Sequence, residues 1–470
     1  MTRPGSLVAA ALVAVLAAGV VSGAEWDVYP GAGTPIQDAI DGAGAGDTIY
    51  VHAGTYVENV NVNKRVTLIG DGADVVTVRA ADARSDHVFE VTANWVNMSG
   101  FTVTGATYRS GVYLDSVDYC NISDNNASNN WYGIALNYSS SNTLLNNNVS
   151  NNKFGIAPDY STDNTLQSNT VSNNDDGIYM WYSSNNTLTN NIFINDGFFI
   201  DEGSYKNNVE NNTVNGKPLA YLEDASNFII QSAGQVILVN CTNITVENLN
   251  ISNAGVGVEL WETDDCKIAS NNVSSNTFGI LLGYSSNNIL KDNIASNKLG
   301  GIYLYYSSGN ALTTNTASNN EVGIYLYSSS NNNTLYHNNL IDNTDHNAYD
   351  DSGTNTWDSG SAGNYYSDYT GTDPDGDGIG DDPYPIPGGT SIDRFPLMHP
   401  WTGGTLLKGD LNRDDILTPA DAAIALCIAA GGSASCDATT LAAADVSGDN
   451  RVTSLDALMI LQAATAARDV

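Results

Sequence analysis

The sequence predicts an all-β protein, a right-handed, single-stranded parallel β-helix in which successive coils of the chain stack on one another. Three observations lead to this prediction: a glycine period of 22 residues, apolar positions that alternate after each glycine, and asparagines at fixed places between them. A repeat of this length with no helical pattern, and with strands too short to fold alone, is typical of coils that bury a common core. The recurring glycines are Gly111, Gly133, Gly155, Gly177, Gly257, Gly279, Gly301 and Gly323.

The positions one and three residues after the glycine are almost all apolar, which is the period of two expected for a strand with one buried face. They include Ile134 and Leu136, Ile178 and Met180, Ile280 and Leu282, Ile302 and Leu304, and Ile324 and Leu326. Further apolar residues follow eleven and sixteen positions after the glycine, for example Leu144 and Val149. Each repeat therefore predicts two or three short strands separated by turns.

Asparagine and serine, rather than helix formers, lie between the predicted strands. Neighbouring coils should be about 4.8 Å apart, so stacked asparagines can hydrogen-bond to one another as an amide ladder. Asparagine also tolerates the left-handed backbone of a sharp turn. We therefore interpret these rows as structural rather than catalytic. One row lies fourteen residues after the glycines: Asn125, Asn147, Asn169, Asn191, Asn271, Asn293 and Asn315.

Residues 1–24 have the pattern of a secretory signal peptide. Arg3 precedes an apolar run over residues 7–21, and Ser22-Gly23-Ala24 provides small residues before a cleavage site at Glu25. No later apolar run approaches the length of a membrane span. The sequence thus predicts a secreted, extracellular protein that a partner could hold at the cell surface.

The formal net charge is −35, although only 15% of residues are charged, because Lys and Arg are scarce. Nucleic acid is excluded as a partner, since phosphate binding needs basic patches and no Arg lies between Arg109 and Arg394. Clustered acids favour calcium as a ligand. Adaptation to high salt is a second explanation of the same charge.

Five cysteines are few for 470 residues, so disulfides are not expected to hold the fold together. Cys120 and Cys266 lie nine residues after their glycines, where small buried residues are expected in the turn stack. Cys241 precedes Cys266 by about one coil, so a bridge between them is geometrically possible. Cys427 and Cys436 are the better disulfide candidates in an exported protein.

Residues 34–40 predict a short helix, with Thr34 as the N-cap and Pro35 at the first helical position. Such a helix could cover the end of the solenoid, which would otherwise expose apolar surface and unpaired strands. Strands are predicted next, over residues 47–51 and 65–70.

The N-terminal motifs together resemble the pectin-lyase-like β-helix superfamily. They are Pro35-Ile36-Gln37-Asp38-Ala39-Ile40, Gly46-Asp47-Thr48-Ile49, Gly54-Thr55-Tyr56 and Thr67-Leu68-Ile69-Gly70, followed by the glycine-spaced coils. Within this superfamily the sequence is most similar to the NosD-type and carbohydrate-binding/sugar-hydrolase repeats of exported archaeal proteins. The resemblance covers most of residues 30–400. It implies sugar binding, sugar degradation or copper handling.

The regular array is interrupted before Gly257, where residues 217–222 and 235–239 predict strands of irregular coils in the same solenoid. Aromatic residues and prolines beyond His346 predict a cap at the other end. The β-helix with both caps should therefore span residues 25–402, followed by a second module.

The strongest chemical signal lies in residues 403–470, where two twelve-residue loops repeat 35 residues apart. Each places oxygen ligands at positions 1, 3, 5, 9 and 12 and a backbone carbonyl at position 7, a spacing that wraps a loop around Ca²⁺. The first loop offers Asp410, Asn412, Asp414, Ile416 through its carbonyl, Thr418 and Asp421. The second offers Asp445, Ser447, Asp449, Arg451 through its carbonyl, Thr453 and Asp456. Helices are predicted over residues 420–430 and 455–464.

Two such loop–helix units in about 60 residues, with Asp at position 12, resemble a type I dockerin. The resemblance implies a small all-α domain that folds on Ca²⁺ and docks into the cohesin module of a cell-surface or scaffold protein. The sequence departs from the family at position 6, where Asp415 and Asn450 replace the usual glycine. Pro419-Ala420 and Ser454-Leu455 stand where the family often has a Ser-Thr pair that contacts cohesin.

A third acidic cluster, over residues 373–381, alternates carboxylates with glycines and resembles the aspartate-rich calcium repeats of thrombospondin-type proteins. Such carboxylates can wrap a cation, whereas without metal they repel one another. A plain acidic turn is the alternative. The candidate ligands are Asp373, Asp375, Asp377 and Asp381.

Aromatic side chains recur two and four residues after the glycines, at positions that should face outward. Their flat apolar rings could stack on the C–H faces of pyranose sugars. Aromatics are also good strand residues, so a structural role is the alternative. The candidate carbohydrate-binding residues are Tyr179, Trp181, Trp261, Tyr303, Tyr305, Tyr325 and Tyr327.

No residue matches a catalytic motif of the related enzymes. The acid pairs Asp175-Asp176 and Asp264-Asp265 lack the His and Arg-x-Lys elements of β-helix polygalacturonases, and the repeat array lacks the Arg used by β-helix lyases. Copper is disfavoured because the histidines and methionines form no cluster in sequence. Two functions remain: a surface-tethered, calcium-binding β-helix that recognises polysaccharide, or a polysaccharide-degrading glycoside hydrolase or lyase.

Overall fold

The computed structural model describes residues 23–374, 378–402, 408–409, 411, 417–431, 441, 443–449 and 451–466. The proposed signal peptide lies almost wholly outside these residues. The predicted fold is confirmed: the chain forms a parallel β-solenoid of about 16 turns, with few helices. By its internal contacts the chain divides into two compact units. Unit 1 comprises residues 1–223, 232–239 and 252–257, and unit 2 comprises residues 224–231, 240–251 and 258–470.

Unit 1 has three parallel rows of strands, one strand of each row per coil. The first row is β1 (Glu25–Val28), β2 (Thr48–Val51), β5 (Thr67–Gly70), β8 (Asn97–Ser99), β11 (Asn121–Ser123), β14 (Thr143–Leu145), β17 (Thr165–Gln167), β20 (Thr187–Thr189) and β23 (Asn208–Glu210). The second row is β3 (Gly54–Val57), β6 (Val76–Arg79), β9 (Thr102–Thr104), β12 (Asn126–Ser128), β15 (Asn148–Ser150), β18 (Thr170–Ser172), β21 (Ile192–Ile194) and β24 (Thr213–Val214). The third row is β4 (Val60–Val62), β7 (Phe89–Val91), β10 (Ser110–Asp115), β13 (Tyr132–Asn137), β16 (Phe154–Asp159), β19 (Asp176–Met180) and β22 (Phe198–Ile200).

Both irregular strands predicted between the two regular arrays are present. β24 turns back into β25 (Lys217–Glu223) as an antiparallel pair, which breaks the 22-residue frame. β25 then pairs in parallel with β27 (Gln235–Val239), whose five residues are all buried.

Unit 2 repeats the three-row plan. Its first row is β26 (Ile229–Ile230), β28 (Thr245–Glu247), β31 (Lys267–Ala269), β34 (Ile289–Lys291), β37 (Ala311–Thr313) and β40 (Thr334–Tyr336). Its second row is β29 (Asn250–Ser252), β32 (Asn272–Ser274), β35 (Ile294–Ser296), β38 (Thr316–Ser318), β41 (Asn339–Ile341) and β43 (Tyr365–Tyr366). Its third row is β30 (Val256–Trp261), β33 (Phe278–Gly283), β36 (Gly300–Tyr305), β39 (Val322–Tyr327) and β42 (His346–Asp350), and a short antiparallel pair, β44 (Tyr384–Pro385) and β45 (Ile392–Asp393), follows.

The recurring glycine is required by close approach of the next coil. A Cβ atom on Gly155 would lie 2.3 Å from the Gly177 carbonyl oxygen and 3.0 Å from Asn174 Nδ2. Gly279 is confined in the same way, since a Cβ atom there would lie 2.5 Å from the carbonyl oxygen of Gly301. Any side chain at this position would push neighbouring coils apart, which explains why the period is marked by glycine.

The predicted asparagine ladder is present and fully buried. Asn147 donates from both its backbone N and its Nδ2 to Asn169 Oδ1, at 2.9 and 3.1 Å. Asn169 Nδ2 donates in turn to Asn191 Oδ1 at 3.0 Å and to the Leu144 carbonyl oxygen at 3.0 Å. Each amide therefore satisfies buried backbone groups as well as its neighbour in the next coil.

Two more asparagine ladders and one serine row lie in the other turns. Their side chains also accept hydrogen bonds from buried backbone N–H groups of the turns. Examples are the bond from Asn130 N to Asn152 Oδ1 at 2.9 Å and the bond from Ser139 N to Ser161 Oγ at 3.0 Å. Cys120 and Cys266 occupy ladder positions and are buried, as expected. Cys241 and Cys266 are buried thiols rather than the two halves of a disulfide.

Helix α1 (Pro35–Gly42) begins where the sequence predicts, but its N-terminus is capped differently. The Thr34 side chain makes no cap hydrogen bond. Instead the buried Glu58 carboxylate accepts hydrogen bonds from Ile36 N at 3.2 Å and Gln37 N at 3.0 Å. A carboxylate is favourable at the positive end of a helix, and it comes from a residue more than 20 positions along the chain.

The C-terminal module contains the two predicted helices, α2 (Pro419–Ala429) and α3 (Ser454–Ala466). They enclose a small apolar cluster that includes Ala425, Ala457 and Ile460. Cys427 is exposed on α2, and its possible partner Cys436 lies outside the described residues. None of the helices in the described residues is both long and apolar enough to cross a membrane.

Candidate functional site

An open groove lies on the surface of unit 1. Its floor is Ala135 of β13 and Ala157 of β16, which lie side by side in register. Tyr113 of β10 pairs with Ala135 at one end, and Tyr179 of β19 lines the other. Because larger side chains occupy this outward row on both sides of the two alanines, a cavity of about 270 Å³ is left between them, here named the alanine groove.

Asn137 and Asp159 line one side of the alanine groove and belong to a row of polar side chains. Asp115, Asn137 and Asp159 end three neighbouring strands in register. Asn137 Nδ2 donates to Asp115 Oδ1 at 3.1 Å. Asp159 Oδ1 is buried and has no hydrogen-bond partner among the described residues, and burial raises the pKa of Asp159. A buried oxygen without a donor is costly, so this atom is suited to accept a hydrogen bond from a ligand.

The corner beside Tyr113 supplies hydrogen-bond donors. His87 stacks on the Tyr113 ring, with centroids 4.1 Å apart and planes 5° apart. His87 Nδ1 accepts from Ser110 N at 3.0 Å. Burial, reinforced by the charge of Arg109, lowers the pKa of His87 to about 4, so at neutral pH the ring is neutral and Nε2 carries its proton.

Arg109 adds a positive charge to this corner. It lines the alanine groove, and its guanidinium makes no ion pair with any described residue. In a chain of net charge −35 such a cation is uncommon. The groove therefore combines fixed acceptors, fixed donors and apolar surface.

Tyr179 and Trp181 provide the aromatic end of the groove. The Tyr179 hydroxyl donates to Asp201 Oδ2 at 3.1 Å, and burial, followed by the charge of Asp201, raises the pKa of Tyr179 well above its usual range. Trp181 pairs with Asp159 across one coil and is 44% exposed. Thus two of the seven predicted carbohydrate-binding residues lie at this groove.

Four other predicted aromatic residues, in unit 2, pack mainly against one another. Tyr303 and Tyr325 meet edge to face, with centroids 5.2 Å apart at 75°. Tyr325 and Tyr327 are 5.5 Å apart at 55°, and Tyr305 and Tyr327 are 5.9 Å apart at 18°. Such pairs stabilise a sheet surface by themselves, which supports the structural alternative for this cluster.

Trp261 lies in the outward row, but the expectation that its ring is exposed is wrong. Trp261 is only 3% exposed, and its Nε1 donates to Glu259 Oε1 at 2.6 Å. In the next coil Gly283 stands where the following coil carries Tyr305, and a Cβ on Gly283 would lie 2.4 Å from the indole. The missing side chain lets the indole fold down onto the sheet, so its ring offers no open face.

The second predicted calcium loop is partly described. Asp445 Oδ1 accepts from Ser447 Oγ at 3.1 Å. The buried Asp456 carboxylate accepts from the backbone N of Ser447 and of Thr453, both at 2.8 Å. Burial raises the pKa of Asp456, but these hydrogen bonds outweigh it and hold the pKa at about 2. Asp456 is therefore ionised at neutral pH.

Other predicted ligands are placed only in part. Asp421 Oδ2 accepts from Thr418 N at 2.8 Å, as its counterpart does in the second loop, and Asp449 Oδ1 accepts from Arg451 N at 2.9 Å. In the acidic cluster Asp373 Oδ2 accepts from Gly378 N at 2.9 Å, and Asp381 N donates to the carbonyl oxygen of Thr372 at 2.9 Å. The predicted ligands outside the described residues are Asp375, Asp377, Asp410, Asn412, Asp414 and Ile416.

Within the described residues no three His, Cys, Asp or Glu side chains are close enough to hold a metal ion together. For Ca²⁺, the carboxylates and hydroxyls of the second loop are nevertheless the hard oxygen donors that this ion takes. Copper favours imidazole and sulfur, but His52 is held between Asp27 and Asp71 at 2.8 and 3.2 Å. Met98 and Met180 are buried in the core. These residues do not fit a copper site.

Sequence reasoning missed most of the alanine groove. Three of its residues lie before Gly111, the first recurring glycine, and therefore have no equivalent positions in the repeats. They are His87, Arg109 and Ser110. A usable signal existed in the outward row itself, where Ala135 and Ala157 interrupt a series of aromatic residues in consecutive repeats.

Comparison with known proteins supports this architecture. The model of the periplasmic copper-binding protein (NosD) family matches residues 40–228 and 202–371, and that of the dockerin type I domain matches residues 408–463. A cell surface glycoprotein of Methanothermus fervidus is 33% identical over 98 residues, 20% of this chain and 16% of the relative. The chain thus spans 16% of the length of that curated relative.

Several solved structures are similar to this chain at low identity. The catalytic domain of a GH87 α-1,3-glucanase is 14% identical, with 68% of this chain and 69% of that chain covered and a TM-score of 0.37. The A-module of mannuronan C-5 epimerase AlgE4 from Azotobacter vinelandii is 17% identical, with coverage of 69% and 95% and a TM-score of 0.36. DFA-IIIase from Arthrobacter chlorophenolicus A6 is 12% identical, with coverage of 74% and 100% and a TM-score of 0.38. Since the NosD model matches more than half of the residues, the chain belongs to the family described as periplasmic copper-binding protein (NosD).

Proposed function

We propose that this is an exported protein that binds polysaccharide in the alanine groove and is held at a surface by its C-terminal dockerin module. The β-helix would span residues 25–402 and the dockerin residues 403–470. The observation that carries the proposal is the gap left by Ala135 and Ala157 between larger side chains of one outward row. The periplasmic family and the surface-glycoprotein relative support export.

The composition of the groove suits a sugar. Sugars present hydroxyl groups that both donate and accept, together with apolar C–H faces. Asp159 Oδ1 is a ready acceptor for a hydroxyl, and the His87 Nε2–H is a ready donor. Trp181 offers a ring for a C–H face. A few fixed polar groups in a mainly apolar cavity are typical of small-ligand sites.

Filling the groove should abolish binding. In Ala157→Phe the ring would occupy the space between Tyr113 and Tyr179, so affinity for oligosaccharides identified on a glycan array should fall by about tenfold or more, roughly 1.4 kcal/mol. Isothermal titration calorimetry would measure the loss. Leu281→Phe, at the same repeat position in unit 2, is the matched control and should bind normally. Equal affinity of Ala157→Phe and the native chain would contradict the groove as the site.

Hydrolysis of the bound polysaccharide is a second candidate function. Asp115 and Asp159 lie in one row, two coils apart, which at about 4.8 Å per coil places their backbones about 10 Å apart. Inverting glycosidases hold their two carboxyl groups about 6.5–9.5 Å apart, a separation that side chains on two such backbones can reach. Burial raises the pKa of Asp159, as a general acid requires. Asp159 would protonate the leaving oxygen while Asp115 takes a proton from the attacking water.

This candidate predicts that Asp159→Asn lowers the release of reducing ends by about 10²-fold or more while oligosaccharides still bind. A reducing-sugar assay with parallel calorimetry would separate the two effects. Asp175→Asn, at an exposed bend of the same coil, is the control. If the native chain releases no reducing ends from any polysaccharide that it binds, the protein is a binding protein and this second candidate fails.

The dockerin module is proposed to bind Ca²⁺ and then a cohesin. The ligands would be the residues of the two loops, with Asp445, Asp449 and Asp456 as carboxylates in the second. Pro419-Ala420 and Ser454-Leu455, which stand where the family often contacts cohesin, are all exposed. Exposed Leu458, one turn beyond Leu455, extends this surface. Calcium at the acidic cluster of residues 373–381 is a further proposal.

Calcium titration of the full chain tests the second loop. The double variant Asp445→Ala/Asp449→Ala should bind one Ca²⁺ fewer than the native chain, because a loop that loses two of its carboxylates loses most of its affinity. Isothermal titration calorimetry after chelator treatment gives the number of ions. Asp351→Ala, which removes an exposed acid of the β-helix, should leave that number unchanged. An equal number of ions in the double variant and the native chain would contradict the site.

A further inference from the structure

The turns that carry the ladder asparagines share a recurring sequence at their exposed tips. An exposed Asn with positive φ precedes a ladder Asn, and a Thr then begins the next strand. Three turns complete the N-x-Thr pattern in this way, with first residues Asn185, Asn211 and Asn332 at φ values of 59°, 57° and 55°. In a neighbouring coil Asp163 occupies the tip position, so the fold does not require an Asn there.

The three tip asparagines differ from the ladder asparagines behind them. Asn186 is fully buried, and its Nδ2 donates to the Ser161 carbonyl oxygen at 3.1 Å. Asn185, Asn211 and Asn332 are exposed, and their side-chain amides have no hydrogen-bond partner among the described residues. Their Nδ2 atoms are therefore available for reaction without breaking the fold.

We propose that Asn185, Asn211 and Asn332 are N-glycosylation sites of the folded protein. The Asn Nδ2 forms a bond to the anomeric carbon of a lipid-pyrophosphate-linked oligosaccharide. The bond from that carbon to the pyrophosphate oxygen breaks, the lipid pyrophosphate leaves, and the Nδ2 proton passes to a base of the transferase. The proposal goes beyond polysaccharide binding and shares with the proposed function only the requirement for export.

Other Asn-x-Ser/Thr sequences are held by the fold. Asn243 is also an exposed turn residue with positive φ, at 53°, but its Nδ2 donates to Asn227 Oδ1 at 2.7 Å. Asn137 Nδ2 is engaged by Asp115 at 3.1 Å. Asn148 is exposed, but lies inside β15, whose backbone pairs with strands of both neighbouring coils. A transferase that must enclose its acceptor peptide cannot reach such a strand.

The test uses a purified oligosaccharyltransferase with a lipid-pyrophosphate-linked oligosaccharide, acting on the purified full chain. Peptide mass spectrometry should show occupancy of Asn185, Asn211 and Asn332 at least about tenfold above that of Asn243, which has the same Asn-x-Thr pattern, the ratio that one hydrogen bond of about 1.4 kcal/mol provides. Peptides cut from the same protein should lose this preference. Equal occupancy in the folded chain, or none at the three tips, would overturn the proposal.

Asn227→Gly provides the matched variant. Glycine keeps the positive φ that Asn227 adopts, 62°, and removes the acceptor that holds Asn243. Occupancy of Asn243 should then rise to that of the three tip sites, and an unchanged occupancy would overturn the requirement for a free amide. Because the transferase assay needs neither export nor polysaccharide, failure of the proposed function would leave its outcome unaffected.

Discussion

Replacement of Asn169 by alanine is expected to lower the free energy of unfolding by about 3–5 kcal/mol, since each orphaned buried polar group costs about 1–3 kcal/mol. Asn169 Oδ1 accepts from both Asn147 N and Asn147 Nδ2, and Asn169 Nδ2 donates to the Leu144 carbonyl oxygen. All of these groups are buried away from water, so none can find a substitute partner. The loss therefore exceeds that of an ordinary hydrogen bond.

Urea denaturation followed by circular dichroism would measure this change. Asn148→Ala is the control, because Asn148 directly follows the ladder residue Asn147 but is exposed, and its effect should stay within about 0.5 kcal/mol. If both variants unfold at the same urea concentration, the ladder does not stabilise the fold through these hydrogen bonds.

Asp196→Asn should stabilise the protein above neutral pH by about 4 kcal/mol, because the pKa of Asp196 is raised by about three units and each unit corresponds to about 1.4 kcal/mol. Asp196 ends an asparagine ladder and is 2% exposed, and its Oδ2 accepts from Asn174 N at 3.0 Å and from Asn174 Nδ2 at 2.7 Å. Burial raises the pKa of Asp196 from 3.8 to about 7, against the lowering effect of these hydrogen bonds. The folded state thus retains a proton that the unfolded state releases.

The sign of the effect follows from this proton. The protonated Asp196 carboxyl makes its full contribution to the free energy of unfolding below about pH 4. That contribution is lost as the pH rises towards 7. Asparagine keeps the ladder neutral at every pH. The difference in free energy of unfolding between Asp196→Asn and the native chain should therefore be near zero at pH 4 and reach its full value at pH 8. A difference independent of pH would show that Asp196 does not titrate in this range.

The repeat explains why so much of the fold was predictable. A period of 22 residues places each side chain beside its equivalents in neighbouring coils, so one interpretation applies many times. Asn169 belongs to such a row, and the structure assigns it the ladder role expected from stacking. Gly155 belongs to another, whose role in the close approach of coils the structure supplied. The parts that the sequence missed depend on single contacts outside the rows.

Trp261, Glu58 and His87 illustrate that limit. Trp261 is buried because one neighbour, Gly283, lacks a side chain. Glu58 caps helix α1 from a distant position in the chain. His87 reaches the alanine groove from a coil that precedes the regular array. Alternation within one strand predicts the face of a residue, whereas these three contacts depend on which particular side chain the next coil carries.

The ladders also determine how such a protein can change in length. Each ladder asparagine accepts from the coil before it and donates to the coil after it, so the ladder donors of one regular coil match the ladder acceptors of another. Duplication or deletion of one whole 22-residue unit in the regular array would leave every donor of this ladder with an acceptor. Mutation can therefore add or remove coils as complete parts, while a fractional insertion would misalign every row at once.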